Sequence, residues 1–316
     1  MPRLRLLAAL AIAGICQAAE APAPASAPAP APTPPPAPAA YELALVTEQG
    51  QKTVLGKLPS SIFAPRVSPD GRQVAFELAE GGAPAGQPAN MRLYVAPLDA
   101  PDKRRPLQYT LTSTRNIAPV WSPEGDFIVF LAQGNGADVL FTQRADGYIQ
   151  PSFLVEGRAP EGWYKGGRLV FITRKGDHDY GISLLDLATR KVTRLVDIEG
   201  SDQHSSSISP DGRWIAYSSN ETGRQEVWAE PLPQTGKRFQ LTREGGRHPL
   251  WSPDGSHIYF DQGGRMYRLD LTAGADSLAA AAPVPLQITG FLQGDLRRQF
   301  DLMPDGKAFL MLFPLK

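Results

Sequence analysis

The sequence predicts an all-β protein, a six-bladed β-propeller of four-stranded blades, and three observations predict it. A Ser-Pro-Asp-Gly turn recurs along the chain, short alternating apolar runs flank each copy, and the two chain ends supply complementary halves of one repeat.

In chain order, residues 1–19 read as an export signal. Arg3 and Arg5 form a basic start, residues 6–15 are an apolar run, and Ala18 and Ala19 offer small residues for cleavage. Ten apolar residues are too few to cross a bilayer, which takes about 20, so no transmembrane span is expected and the mature chain is expected in the periplasm. Cys16 is the only cysteine. It permits neither an internal disulfide nor a cysteine-based metal site, and a lipid anchor through it is the alternative to soluble export. The bulky Ile15 before it argues against that chemistry. Residues 20–40 form a linker in which 9 of the 31 prolines fall between Pro22 and Pro38. Such a run favours an extended spacer of ~3.1 Å per residue.

The folded part is 41–316. Clear turns stand at Ser68-Pro69-Asp70-Gly71, Ser122-Pro123-Glu124-Gly125, Ser209-Pro210-Asp211-Gly212, Ser252-Pro253-Asp254-Gly255 and Met303-Pro304-Asp305-Gly306, with a worn copy at Tyr164-Lys165-Gly166-Gly167. Proline presets φ, the acid favours the turn and glycine takes the left-handed conformation without steric cost. The glycines recur at intervals of 54, 42, 45, 43 and 51 residues, the period of a propeller blade. Apolar runs such as Val74-Ala75-Phe76, Ile128-Val129-Phe130 and Ile258-Tyr259-Phe260 follow the turns and make each motif the hairpin between a blade's first and second strands. The last repeat has only two strands, whereas two extra strands, 43–47 and 53–58, precede the first turn. Pairing these N-terminal strands with the C-terminal hairpin completes the sixth blade and removes open sheet edges.

Trp251-Ser252-Pro253-Asp254-Gly255 followed by Ile258-Tyr259-Phe260, together with residues 208–217, resembles the propeller repeats of the TolB family. The resemblance covers 41–316 and leaves out the α/β domain that precedes the propeller in TolB itself, the Pro/Ala linker standing there instead. It implies the fold. For function it implies a binding module, an accessory domain of an enzyme, or, in one branch, a lyase whose channel-mouth histidines bind metal.

Charge and motifs narrow the function. With 32 Lys plus Arg against 32 Asp plus Glu, no nucleic-acid partner is expected. There is no Gly-x-Ser-x-Gly elbow for a serine hydrolase. Trp121, Trp214, Trp228 and Trp251 sit at strand positions and read as packing. Trp163, beside the worn turn, is the aromatic expected as a surface or channel contact. If first strands run from top to bottom, the turns lie at the bottom, and the loops entering first strands lie on top. His204 and His248 then fall at the upper channel mouth, with His178 on the same face farther from the axis.

Two functions follow. The first is a non-enzymatic envelope module that binds a protein or peptide through His204, His248 and Trp163, with no catalytic residue and no cofactor. The alternative is a metal-dependent lyase or hydrolase acting on a carbohydrate in the channel, its divalent ion held by His204, His248 and His178.

Overall fold

The computed structural model describes residues 40–59, 61–80, 90–107, 115–134, 137–174, 179–274 and 277–315. Among them there is no α-helix, only a 3-10 turn at Pro101–Lys103, and no helix long and apolar enough to cross a membrane. The all-β expectation holds.

The strands form consecutive antiparallel meanders. The first runs Ile62–Val67, Gln73–Glu80, Asn90–Pro97 and Arg105–Pro106, and the second runs Arg115–Trp121, Phe127–Gly134, Ala137–Arg144 and Ser152–Glu156. A single parallel bridge, Met91 to Arg115, joins these two into one eight-stranded sheet. The third comprises Ala159–Tyr164, Arg168–Arg174, Tyr180–Asp186 and Val192–Val196; the fourth, Gln203–Ile208, Trp214–Ser219, Glu226–Pro231 and Phe239–Gln240. In the fifth, Arg247–Trp251 and His257–Gln262 lead to a long strand, Arg265–Ala273, which carries both Leu278–Ala280 and Val284–Thr289 on its outer side. The remaining sheet takes strands from both ends of the chain, in the order Lys52–Pro59, Ala40–Val46, Phe309–Pro314, Phe300–Leu302. Its central pairing sets Tyr41 opposite Pro314 and Val46 opposite Phe309.

The turn motif has a mechanism that its sequence only half disclosed. Gly71 takes φ of +73°, as the hairpin requires. The serine closes the loop: Ser68 Oγ accepts the amide of Gln73 at 2.8 Å and donates to Asp70 Oδ1 at 2.6 Å. Ser209 and Ser252 repeat both bonds. That hydroxyl holds the carboxyl of Asp70 below its usual range, with the Arg72 amide adding to the effect. Ser252→Ala is expected to cost about 1 kcal/mol, read as a shift in urea midpoint at unchanged slope.

Between the sheets lie apolar clusters, one for each neighbouring pair. Phe76 and Val74 meet Leu43 and Leu312; Val95 meets Trp121 and Phe130; Val129 and Ile117 meet Phe171. Val170 and Ile182 meet Ile215 and Tyr217, Trp214 meets Trp251 and Phe260, and Tyr259 and Leu250 meet Phe300 and Phe309. Trp214 and Trp251 are thus packing residues, as their strand positions imply.

Candidate functional site

The first strand of each meander lies innermost, and its backbone explains what the axis can do. In four meanders these strands carry a bulge with a residue forced into the left-handed region: Ala64 (φ +48°), Ala118 (+56°), Ser205 (+56°) and His248 (+54°). Such a residue costs of order 1–3 kcal/mol and its amide leaves the sheet ladder. Each amide is caught by a side chain from a neighbouring sheet. Gln299 Oε1 accepts from Ala64 N at 2.7 Å, Glu77 Oε1 from Ala118 N at 2.7 Å, and Ser218 Oγ from His248 N at 3.0 Å. Glu161 accepts from Ser205 N on one oxygen and from Ser206 N, at 2.7 Å, on the other. The inner ends of the sheets are therefore fixed to one another by hydrogen bonds that satisfy otherwise orphaned donors.

His204 and His248 come together as their spacing implied, with ring centroids 6.4 Å apart. Both are 1% exposed, so their expected role as surface contacts gives way to a buried one. The cause is the segment 291–299, which lies across this end of the axis. His248 Nε2 is 3.2 Å from the carbonyl of Asp295, its Nδ1 is 2.6 Å from Asp261 Oδ1, and Ser205 Oγ donates to the carbonyl of Leu296. Arg297 forms an ion pair with the fully buried Glu77, and Arg66 donates to the carbonyl of Arg298 at 3.2 Å. The chain's own backbone occupies the end of the axis where the sequence reading placed the partner.

Burial acts on the titration of this end. It pushes the His204 imidazole down to about 3, with the neighbouring His248 and Arg247 adding to the effect. Above the unfolded value of 6.5 neither state binds a proton, and below it the unfolded chain takes one that the native site refuses until about 3. Stability is therefore expected to fall as pH drops through that window, by at most about 1.4 kcal/mol per pH unit from this group. Urea midpoints of wild type and His204→Gln between pH 7 and 5 check this: the slope should flatten in the variant.

The opposite end, where the turns lie, is open. A cavity of about 240 Å³ is lined there by residues of every sheet around the axis, among them Arg66, Trp121, Glu161, Trp163, Leu250 and Arg298. Pro69, Pro123 and Pro304 form its rim. Trp163, expected as a surface or channel contact, lies in this wall. In the third meander, whose turn is worn, the inner strand bulges between Pro160 and Gly162 without a left-handed residue, and Glu161 and Gly162 line the cavity. Two tryptophan indoles tie neighbouring sheets beside it: Trp121 Nε1 donates to the carbonyl of Arg66 at 2.9 Å and Trp251 Nε1 to that of Ser207 at 3.0 Å. Burial raises the carboxyl of Glu161, against the hydrogen bonds from Ser206 and Ser205, and lowers the Arg66 guanidinium to about 9, with Arg298 adding to the latter effect.

A ledge of apolar side chains runs outward on the same side. Four of the eight exposed large apolar side chains among the described residues, Phe127, Tyr148, Ile149 and Phe153, belong to the second meander. Phe127 meets Trp163 at 6.5 Å between centroids, and Phe153 meets Phe141 edge-on at 6.2 Å. Sequence reasoning missed this ledge. Its signal was the unbroken Tyr148-Ile149 pair within a polar turn.

His178 lies outside the described residues. Among those described, no three His, Cys, Asp or Glu side chains are grouped as metal ligands would be.

Repeated antiparallel meanders with inner strands lining an axial cavity define a β-propeller. A model of the TolB beta propeller domain (PD40) matches residues 38–234, and the chain belongs to that family. An uncharacterized protein of Agrobacterium fabrum is 29% identical over 100 residues, which are 31% of this chain and 34% of that protein, so the match spans about a third of the relative. The Agrobacterium tumefaciens structure assigned to TolB superposes with a TM-score of 0.66 at 18% identity, over 88% of this chain and 99% of that one. TolB of Acinetobacter baumannii gives 0.53 at 18% identity, over 87% of this chain but 63% of that one. The oligogalacturonate lyase of Vibrio parahaemolyticus gives 0.51 at 12% identity, over 85% and 82%. At these identities the likeness is one of fold.

Proposed function

We propose that the chain is an exported, non-enzymatic module of the cell envelope, a six-bladed propeller that binds a protein or peptide partner at the turn-side cavity. The observation that carries this reading is the asymmetry of the axis: the chain's own segment 291–299 covers the histidine end, while the turn end is open and lined with Trp121, Trp163 and Tyr164. Anchors of this kind, buried aromatic walls beside an exposed apolar ledge, are how protein interfaces concentrate affinity. The partner face thus moves from the top, where the sequence placed it, to the bottom.

A closed ring of six blades is supported by the apolar clusters between neighbouring sheets, including that of Tyr259 and Leu250 with Phe300 and Phe309, and by the mixed sheet of both termini. The basic start and apolar run of residues 1–19 support export. The chain enters its first strand at Ala40, opposite Pro59 and beside Leu315 at the end remote from the turns, so the cavity faces away from that entry point.

Capture from an envelope extract tests the reading. Trp163→Ala is expected to lower partner recovery at least tenfold, about 1.4 kcal/mol, with the thermal transition retained. His204→Ala with His248→Ala acts differently: it leaves the buried Asp261 carboxylate without its histidine partner and is expected to destabilise the fold by about 3 kcal/mol. Recovery unchanged by Trp163→Ala contradicts the proposed face.

A further inference from the structure

Hydrogen-bond accounting within the turn-side cavity points to the chemistry of its occupant. The acidic groups in the wall are already used. Glu161 accepts from Ser205 N, Ser206 N and Ser206 Oγ, so both its oxygens have donors. Asp301 accepts from Val67 N at 2.9 Å on Oδ2 and from Arg298 Nη2 at 3.2 Å on Oδ1. The phenol of Tyr164 accepts from Ile208 N at 2.9 Å. At the rim, Ser68 Oγ donates to Asp70 and Ser122 Oγ accepts from Phe127 N, and the rim prolines carry no N–H. Arg66 spends its guanidinium on the carbonyls of Pro65 and Arg298. Arg298, in the same wall, keeps a buried Nε that has no partner among the described residues.

A buried guanidinium N–H without an acceptor is costly, and its planar edge suits the two coplanar oxygens of a carboxylate. The walls limit the charge of the ligand. Glu161 and Asp301 stand beside Arg298, so a second negative charge, as on a phosphate monoester, meets like-charge repulsion at low local dielectric. Trp121, Trp163 and Leu250 supply apolar wall on the other sides, which strengthens a single ion pair by excluding water.

We propose that the cavity receives one carboxylate of the partner, an Asp or Glu side chain or a C-terminal carboxylate, on the Nε edge of Arg298. This rests on the binding function proposed above and specifies the group that enters. The neighbouring ledge of Phe127, Tyr148 and Ile149 then takes apolar residues flanking that carboxylate.

The test uses the full chain and a random 12-residue peptide display library. Selected peptides are synthesised as such, with each Asp or Glu changed to Asn or Gln, and with an amidated C-terminus, and their affinities are measured for wild type, Trp163→Ala, Arg298→Met and Arg298→Lys. The expected result is a peptide at least tenfold weaker on Trp163→Ala, at least tenfold weaker when one carboxylate is neutralised, and equally weakened by Arg298→Met, with no further loss when both changes are combined. Loss on amidation assigns the C-terminus; loss on Glu→Gln or Asp→Asn assigns a side chain. Peptides that need Trp163 but are indifferent to their carboxylates overturn the inference and leave the binding face standing. This peptide arm decides the matter even if Arg298→Met fails to fold. A selection that returns no binder, or binders indifferent to Trp163→Ala, overturns the face and the inference together.

Discussion

Removal of residues 41–58 is expected to leave a chain with no cooperative unfolding transition. The deleted strands supply Tyr41, Leu43 and Leu58 to the cluster that also holds Val74, Phe76, Leu310 and Leu312, so the loss strips apolar contacts from two sheets at once. It also exposes the hydrogen-bonding edge of Phe309–Pro314, whose partner is Ala40–Val46, and a bare edge of that length invites aggregation. A milder change scales the effect: Leu43→Ala, at a fully buried position, should cost about 2–5 kcal/mol. Scanning calorimetry distinguishes the outcomes. A truncated chain that melts in a single sharp transition near the wild-type temperature would show the two termini to be dispensable to one another.

Arg297→Met is expected to lower stability by about 3 kcal/mol, the lower end of the range for removing one partner of a buried ion pair. Glu77 is fully buried, and Arg297, about a quarter exposed, is its charged partner; one oxygen of Glu77 has no hydrogen bond even with Arg297 present. Without the guanidinium the carboxylate still caps Ala118 N but stands uncompensated. Glu77→Gln on the Arg297→Met background should recover most of the loss, because an amide oxygen can keep that cap without carrying charge. Amide exchange in 291–299 should accelerate in the single variant, since Arg297 pins this segment over the histidine end. Equal stability of wild type and Arg297→Met would mean that the segment is held by its backbone contacts alone.

The local parts of the fold were legible because they are written in consecutive residues. Pro-Asp-Gly dictates a turn, alternation dictates a strand face, and the mismatch between the chain ends predicted the pairing of the N-terminal strands with the C-terminal hairpin, seen between Ala40–Val46 and Phe309–Pro314. The axis was not legible. The donors at Ala64, Ala118, Ser205 and His248 are capped by Gln299, Glu77, Glu161 and Ser218, partners 30 to 235 residues away, and nothing local marks such a pairing. His204 and His248 were placed at the correct end, yet their burial follows from 291–299, a stretch without strand periodicity whose path is set by long-range contacts. Trp163 was legible for the opposite reason: a decayed turn, written in consecutive residues, marked the blade whose tryptophan lines the cavity. The role of the motif serine became visible only with the hydroxyl seen closing the loop in Ser68, Ser209 and Ser252.

Hydrogen exchange of the full chain, alone and with its captured partner, tests most directly which end of the axis is the working one. The account predicts slowed exchange at 68–71, 121–127, 162–166 and 303–306, with 204–206 and 291–299 unchanged. Slowed exchange confined to 204–206 and 291–299, with the turns unaffected, would contradict it.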